Sequence, residues 1–443
     1  MDYNEYYKSL VDGDFQRSIQ DAKDEQKYIK SSTAQCHGYF VHTLFIPKMF
    51  SEEMFEYFQK SADTMYTILE KVIKQYEKDE KYRALFGFDK RLEELILRKP
   101  LYECKLPVAR IDIFFDENDY TFKYCEFNAD GASAMNEDRE LNIALSKTDA
   151  FNKFSQKYGV RTNELFDSWV REFVKIYNSS QNPVKNPHIA IVDFINGERN
   201  YEFEEFQKAF EKAGYSCEIC EIRELSYKNG ILCGKGGKRI DAIYRRAVTC
   251  DIMDNYDDVQ PFIQSVKDDA ICLIGDFRTQ VIHNKIVFEV LHNPMTFEFL
   301  EESEVEYIKA HIPYTTKLTK EVVEKNNVLF EKDKWVIKPQ DSYASKGVYA
   351  GVEFDSDEEW QQKVIENVGS EYLLQEYCTP FETVNIDLLH NPQAQYRNYS
   401  NITGLFMYGG KLAGVYSRIA KNSIISTQYS EMSLPTIIVK NSE

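Results

Sequence analysis

Two rhythms of apolar and polar positions run through this chain. A period of 3.6 marks SEEMFEYFQKSADTMYTILEKVIKQYEKD (Ser51–Asp79). Met54, Phe55, Phe58, Met65, Ile68, Leu69 and Val72 fall on one face, and Ser51 stands as N-cap. The spacing predicts an amphipathic helix. Residues 1–30 are charged and helix-compatible, which predicts a peripheral helix, and further helices are expected over Asp138–Tyr158 and Asn163–Tyr177. CHGYFVHTLFIPKMF (Cys36–Phe50) is apolar, with Pro47 as a stop. A period of two marks VARIDIFFD and YTFKYCEFN, two strands joined by the turn-like ENDY. Glu126 and Asn128 end the second at spacing i, i+2, so both project from one face. Small residues follow, from Ala129 to Ala134, and leave space beside them.

The texture changes after NSSQNPVKNPH (Asn178–His188), a polar stretch with two prolines that reads as a linker. HIAIVDF is a buried strand, NYEFEEFQKAFEKAG a helix ending at Gly214, and YSCEICEI a second strand. The β-α-β order predicts a small parallel sheet over about 187–285. GKGGK (Gly234–Lys238) lacks the spacing and the Ser/Thr of a phosphate loop and precedes a strand, so it reads as a turn. The last section begins near Asn284 and again mixes helices and strands. The expected class is α/β (α+β), in three parts: 1–178, 187–283 and 284–443.

At 443 residues the chain is too long for one ordinary core. Its 30 Tyr and 29 Phe argue against disorder. With 54 Lys plus Arg against 72 Asp plus Glu, the net charge of −18 disfavours a nucleic-acid backbone as the main partner. Nine Cys are scattered, and the spacing in CEIC (Cys217–Cys220) lies on an alternating strand and reads as packing, so a reducing, cytoplasmic setting is expected. Met1–Leu10 is polar, so no signal peptide is expected, and no apolar run approaches the ~20 residues of a membrane span.

Chemistry concentrates in WVIKPQDSYASKGVYAGVEF (Trp335–Phe354). A short apolar strand ends in Lys338, a polar loop carries Ser342, Ser345 and Gly347, and VYAGVEF returns as a strand. Such a loop can close backbone N–H groups over a polyphosphate while the ammonium neutralises it; an exposed hairpin is the other reading. In EYLLQEYCTPFETVNIDLL (Glu371–Leu389) the strand breaks at CTPFE and resumes. The break could offer free backbone at Gln375, Glu376, Tyr377 and Cys378 to a flat ring, with Glu382 as a hydrogen-bond acceptor just beyond; a bulged sheet edge is the alternative.

Lysine strand, mobile loop, break strand and Glu, in that order, resemble the nucleotide half of the ATP-grasp fold. That family places an earlier lysine at a helix start, matched by Lys285 in IGDFRTQVIHNKIVFEVL, and a strand pair of form R-x-D then E-x-N. Here the pair is Arg110, Asp112, Glu126 and Asn128, more than two hundred residues before the break strand instead of after it. The order looks like the circularly permuted branch typified by the synthetase domain of glutathionylspermidine synthase, and the resemblance covers most of the chain from about residue 100.

The resemblance implies an ATP-dependent carboxylate–amine ligase that activates an acid as an acyl phosphate, lets an amine displace the phosphate, and releases ADP. Asp112, Glu126 and Asn128 would hold Mg²⁺; Lys285 and Lys338, with Ser345 and Gly347 of the loop, would hold the phosphates of ATP; Gln375–Cys378 would face adenine and Glu382 the ribose. Arg110 would steady the transferring phosphoryl group, and Arg418, in GGKLAGVYSRIAKNSIIS, would face the reacting carboxylate. Asp130, Ser133, Arg245 and Arg246 are expected at the substrates, small-molecule or peptide acids and amines. Arg245 and Arg246 stand in DAIYRRAVTCDIMD, where a polyamine-binding relative carries acidic residues, and so favour a carboxylate on one substrate. Two other readings stay open: a nucleotide-binding subunit without catalysis, and an ATP-dependent small-molecule kinase.

Overall fold

The helix expected from Ser51 runs over Glu52–Lys78, and the Ser51 hydroxyl accepts the Met54 N–H at 3.1 Å. Its apolar face, with Phe58, Ala62, Met65, Ile68, Leu69 and Val72, is buried. The computed structural model of the protein describes residues 3–36, 38–342, 345–390, 395–425 and 431–440.

Other helices depart from the expected spans. The N-terminal segment forms two, Tyr3–Gly13 and Phe15–Ser31, because Asp14 caps the second through the Arg17 N–H. The single helix expected over Asp138–Tyr158 is likewise two, Met135–Leu145 and Asp149–Lys157. Thr148 turns the chain between them, its hydroxyl accepting the Phe151 N–H. The next helix is Phe166–Asn178.

Three larger sheets organise the chain. A six-stranded antiparallel sheet is built around the long strand Tyr396–Tyr408. Its first half pairs with Phe381–Ile386 and its second half with Val108–Phe115, which continues to Phe122–Asn128. Lys411–Ala420 and then Met432–Leu434 complete the other side. A four-stranded sheet of parallel strands joins His188–Asp193, Ser216–Glu221, Ala242–Arg245 and Cys272–Ile274. The third sheet combines Thr315–Lys317, Trp335–Pro339, Tyr349–Ala350 and Tyr372–Glu376.

The break at CTPFE is a change of sheet, not an interruption of one strand. The chain leaves the third sheet at Glu376 and enters the six-stranded sheet at Phe381. The expected strand VYAGVEF shortens to Tyr349–Ala350, followed by a helical turn over Gly351–Glu353. At Gly351 the Lys332 carbonyl approaches too closely for any side chain: a Cβ would lie 1.9 Å from it. Gly234–Lys238 is a turn, closed by the Gly237 N–H on the Gly234 carbonyl, and Cys217 and Cys220 are buried free thiols.

One apolar core runs from the long helix through the 108–128 hairpin into one face of the parallel sheet. A smaller cluster around Trp335 and Trp360 serves the third sheet separately. No described helix is long and apolar enough to cross a membrane.

Candidate functional site

The 108–128 hairpin pairs Arg110 with Asn128 and Asp112 with Glu126. Across the other edge of Val108–Phe115, Gly404 lies opposite Asp112, and two positions earlier Ile402 lies opposite Arg418. One face of the sheet thereby collects Arg110, Asp112, Glu126, Asn128 and Arg418 from three separate stretches of sequence.

Asp112 is the hub of that face and is completely buried. Its Oδ1 accepts from Arg110 Nε at 2.7 Å. Its Oδ2 accepts from Arg110 Nη2 at 3.0 Å, Arg418 Nη2 at 2.8 Å and Asn128 Nδ2 at 3.1 Å. Three of the four donors meet at Oδ2, so Asp112 orients two guanidinium groups while Oδ1, with a single donor, keeps acceptor capacity on the face it shares with Glu126 and Asn128. Arg110 also donates to the Ser133 carbonyl at 2.9 Å, and Arg418 pairs with Glu431 at 3.3 Å. Burial opposes the Arg418 charge, but Glu431 and Asp112 outweigh it and raise its pKa.

Glu126 points from the same face into a cleft of about 750 Å³. Lys285, Lys338, Ser345 and the run Gln375–Cys378 line that cleft too, with Val336, Ile402 and Ile425 as apolar wall. Lys285 Nζ lies 3.0 Å from Glu126 and donates to the Ser342 carbonyl at 2.6 Å. Lys338 Nζ reaches the Cys125 carbonyl at 3.4 Å and sits 5.1 Å above the Phe288 ring. Burial by itself would raise the Glu126 pKa; Lys285 and Lys338 outweigh it and hold the carboxyl at about 2. Burial depresses the Lys338 ammonium, and neighbouring Lys285 adds to that. Two ammonium groups, Lys285 and Lys338, converge on Glu126 inside the cleft, while Glu376 stands at its exposed rim.

Several expected residues stand elsewhere. Glu382 is exposed on the strand Phe381–Ile386, where it accepts from Asn398 at 2.7 Å, and is not among the residues that line the cleft. Asp130 and Arg245 form a buried pair at 2.5 Å, each side chain about 1% exposed. Arg245 also donates to the carbonyls of Ala247 and Asp276 and to Thr249, and Asp130 accepts the Thr249 N–H at 2.6 Å. Neither group is open to a substrate, so both are structural. Arg246 is buried as well, bonded to Tyr244 at 2.8 Å and Glu202 at 3.0 Å. Ser133 is exposed beside Arg110. Gly347 takes a φ of +76°, where only glycine is at ease, and lies at the end of a loop whose Tyr343 and Ala344 fall outside the described residues.

Two residues escaped the sequence reading. A Cβ at Gly404 would lie 2.9 Å from Arg110 Cδ and 3.0 Å from Asp112 Oδ1, so the strand must carry glycine for the clamp to close. A lone glycine inside the apolar run NITGLFMY was the available signal. Asp341, three residues after Lys338, accepts from Gln280 at 2.5 Å through Oδ2, whereas its Oδ1 is buried with no hydrogen-bond partner among the described residues.

No protein-family model matches the sequence, and no curated protein matches it. D-alanyl-alanine synthetase A from Vibrio cholerae superposes with a TM-score of 0.34 at 13% identity, over 57% of this chain and 74% of that one. D-cycloserine synthetase DcsG gives 0.28 at 12%, over 56% and 90%. Overlaps this loose do not establish a common architecture. A glutathione synthetase-like effector from Globodera pallida superposes with a TM-score of 0.63 at 12% identity, over 94% of this chain and 96% of that chain. At that identity the likeness is one of fold, and it extends over nearly the whole of both proteins.

Proposed function

We propose that the protein is an ATP-dependent carboxylate–amine ligase with a circularly permuted ATP-grasp fold, similar to the synthetase domain of glutathionylspermidine synthase. The observation that carries this reading is one cleft lined by Glu126, Lys285, Lys338 and Gln375–Cys378, four distant stretches in the order a permuted chain requires. The pairing of Val108–Phe115 with Tyr396–Tyr408 supports the permutation, since it joins the early strand pair directly to the C-terminal part.

ATP would lie with its base along Gln375–Cys378 and its phosphates between Lys285 and Lys338. Mg²⁺ would rest on Asp112, Glu126 and Asn128, which the hairpin register brings to one face; hard oxygen donors suit this ion. Bound there, it supplies positive charge to the phosphate oxygens. Asp112 fixes Arg110 and Arg418 side by side, so both forks are preorganised before charge redistributes, the condition under which electrostatic stabilisation is largest. Arg110 would steady the transferring phosphoryl group. Arg418 would hold the acid, whose carboxylate oxygen attacks the γ-phosphorus as ADP leaves. The amine then attacks the acyl carbon and phosphate departs, leaving an amide. Ser133, exposed beside Arg110, borders the space for the acid.

The test is incubation with ATP, Mg²⁺ and a matrix of amino acids, peptides and amines. Phosphate and ADP are expected only with matched acid–amine pairs, and hydroxylamine should trap the acyl phosphate as a hydroxamate. Release of AMP and pyrophosphate would overturn the mechanism. Phosphorylation of one substrate without an amine would point to a kinase instead.

A further inference from the structure

A second cavity lies away from the cleft. It is a hollow open to solvent on one side, between the helix Phe15–Ser31, the segment 40–45 and the segment 386–390 that follows the strand Phe381–Ile386. Its walls are mostly apolar, with Ala22, Ile29, Leu44, Phe45 and Leu388 among them. Two acids stand in that wall, Glu25 and Asp387. Glu25 is only 7% exposed, yet its carboxyl makes no hydrogen bond or ion pair with any other described residue.

The side chain is more than nine-tenths buried and lines the cavity, so a cation entering there meets a carboxyl with no protein partner to displace. The neighbouring groups do not supply a partner. Asp21, one turn before Glu25, is committed to Arg17 at 2.9 Å and to the Asp149 N–H at 2.6 Å, and its charge reinforces the negative potential. Tyr7 packs behind, buried. At the cavity wall stand Lys30, His42, Asp387 and His390; Asp387 is taken up by the N–H groups of Leu389 and His390. Burial and Asp21 both raise the Glu25 pKa, so the empty site favours the neutral acid and a ligand cation would favour the carboxylate.

We propose that this cavity binds a primary amine with an apolar tail, its ammonium on Glu25 and its tail against Ile29, Leu44 and Leu388. The site is independent of the ligase reading, because none of its residues lines the nucleotide cleft.

Phenethylamine and 2-phenylethanol, equal in size and differing in charge, test it by calorimetric titration of the full chain, of Glu25→Gln and of Leu389→Trp. The glutamine matches the neutral acid in shape, and the tryptophan fills the cavity from a partly exposed position, so the second variant decides if the first fails to fold. Saturable binding of phenethylamine at or below about 1 mM is expected. Glu25→Gln should weaken it about tenfold or more, and Leu389→Trp should abolish it. The alcohol should bind more weakly than the amine and be indifferent to Glu25→Gln. Absence of saturable amine binding, equal affinity for amine and alcohol, or amine binding unchanged in both variants would each overturn the proposal.

Discussion

Gly404 and Asp138 show how single atoms constrain this molecule. At Gly404 a methyl group would press on Arg110 and Asp112, and neither can yield, because Arg110 is held by hydrogen bonds to Asp112 and to the Ser133 carbonyl. Gly404→Ala is expected to cost ~1–3 kcal/mol of stability in urea unfolding. Gly236→Ala, where nothing lies within 4 Å, should change it by less than ~0.5 kcal/mol. Asp138 is a buried acid bonded to Asn142 at 3.2 Å and Asn163 at 3.0 Å, and burial pushes its pKa up to about 7 from 3.8. The folded state thus binds more protons than the unfolded one between those values, and stability falls as pH rises from 3.8 to about 7. Asp138→Asn removes that titration. Measured by urea unfolding at pH 5 and pH 8, the variant should gain on the order of 2–4 kcal/mol relative to the parent across the interval. Equal pH dependence in both proteins would contradict the buried-acid argument.

At the scale of elements, caps decide where helices begin more firmly than periodicity decides where they end. Ser51 opens the longest helix with one hydrogen bond to Met54, and the helix buries an apolar face from Phe58 to Tyr76 against the core. Ser51→Ala should cost ~1 kcal/mol, and Ser51→Gly only a few tenths, by thermal unfolding. The same logic explains the misread span over Asp138–Tyr158. Apolar residues stand on both sides of the polar Ser146–Thr148, but Thr148 supplies a new cap and a second helix starts at Asp149. The break after Glu376 was legible as a break; its meaning was not, because sheet membership depends on which distant strand is available to pair.

At the scale of the molecule, cores set the order of unfolding. Trp169 belongs to a cluster with the parallel sheet, while Trp335 and Trp360 belong to the smaller cluster of the third sheet. That sheet has fewer buried apolar residues to hold it, so it should open before the rest. A Trp169→Phe variant, whose fluorescence reports only the third sheet, should show a urea midpoint lower by roughly 0.5 M or more than a Trp335→Phe/Trp360→Phe variant, which reports the parallel-sheet core. The substitution weakens the main core in the first protein and the small one in the second, so an early transition in the first cannot arise from the substitution itself. Coincident midpoints would mean a single cooperative unit.

The sequence by itself determined the local facts. Alternation specified the 108–128 hairpin and put Arg110 with Asp112, and Glu126 with Asn128, on shared faces, because side-chain direction along a strand repeats every two residues. It specified the capped helix from Ser51, the parallel strands after 187 and the turn at Gly234–Lys238. Only the tertiary structure decided which of those side chains remain free. Asp112, Asp130 and Arg245 carry the right chemistry for a site. Asp112 Oδ2 is taken by Arg110, Asn128 and Arg418, and Asp130 and Arg245 are taken by each other and by nearby backbone. Glu382, expected at a ribose, accepts from Asn398 on the neighbouring strand. Asp341 is an ordinary acid in the sequence, and only packing leaves it with a buried oxygen that has no hydrogen-bond partner among the described residues. A residue's partners across hundreds of positions are fixed by strand pairing and core closure, and hydrogen-bond capacity is spent there before any ligand arrives.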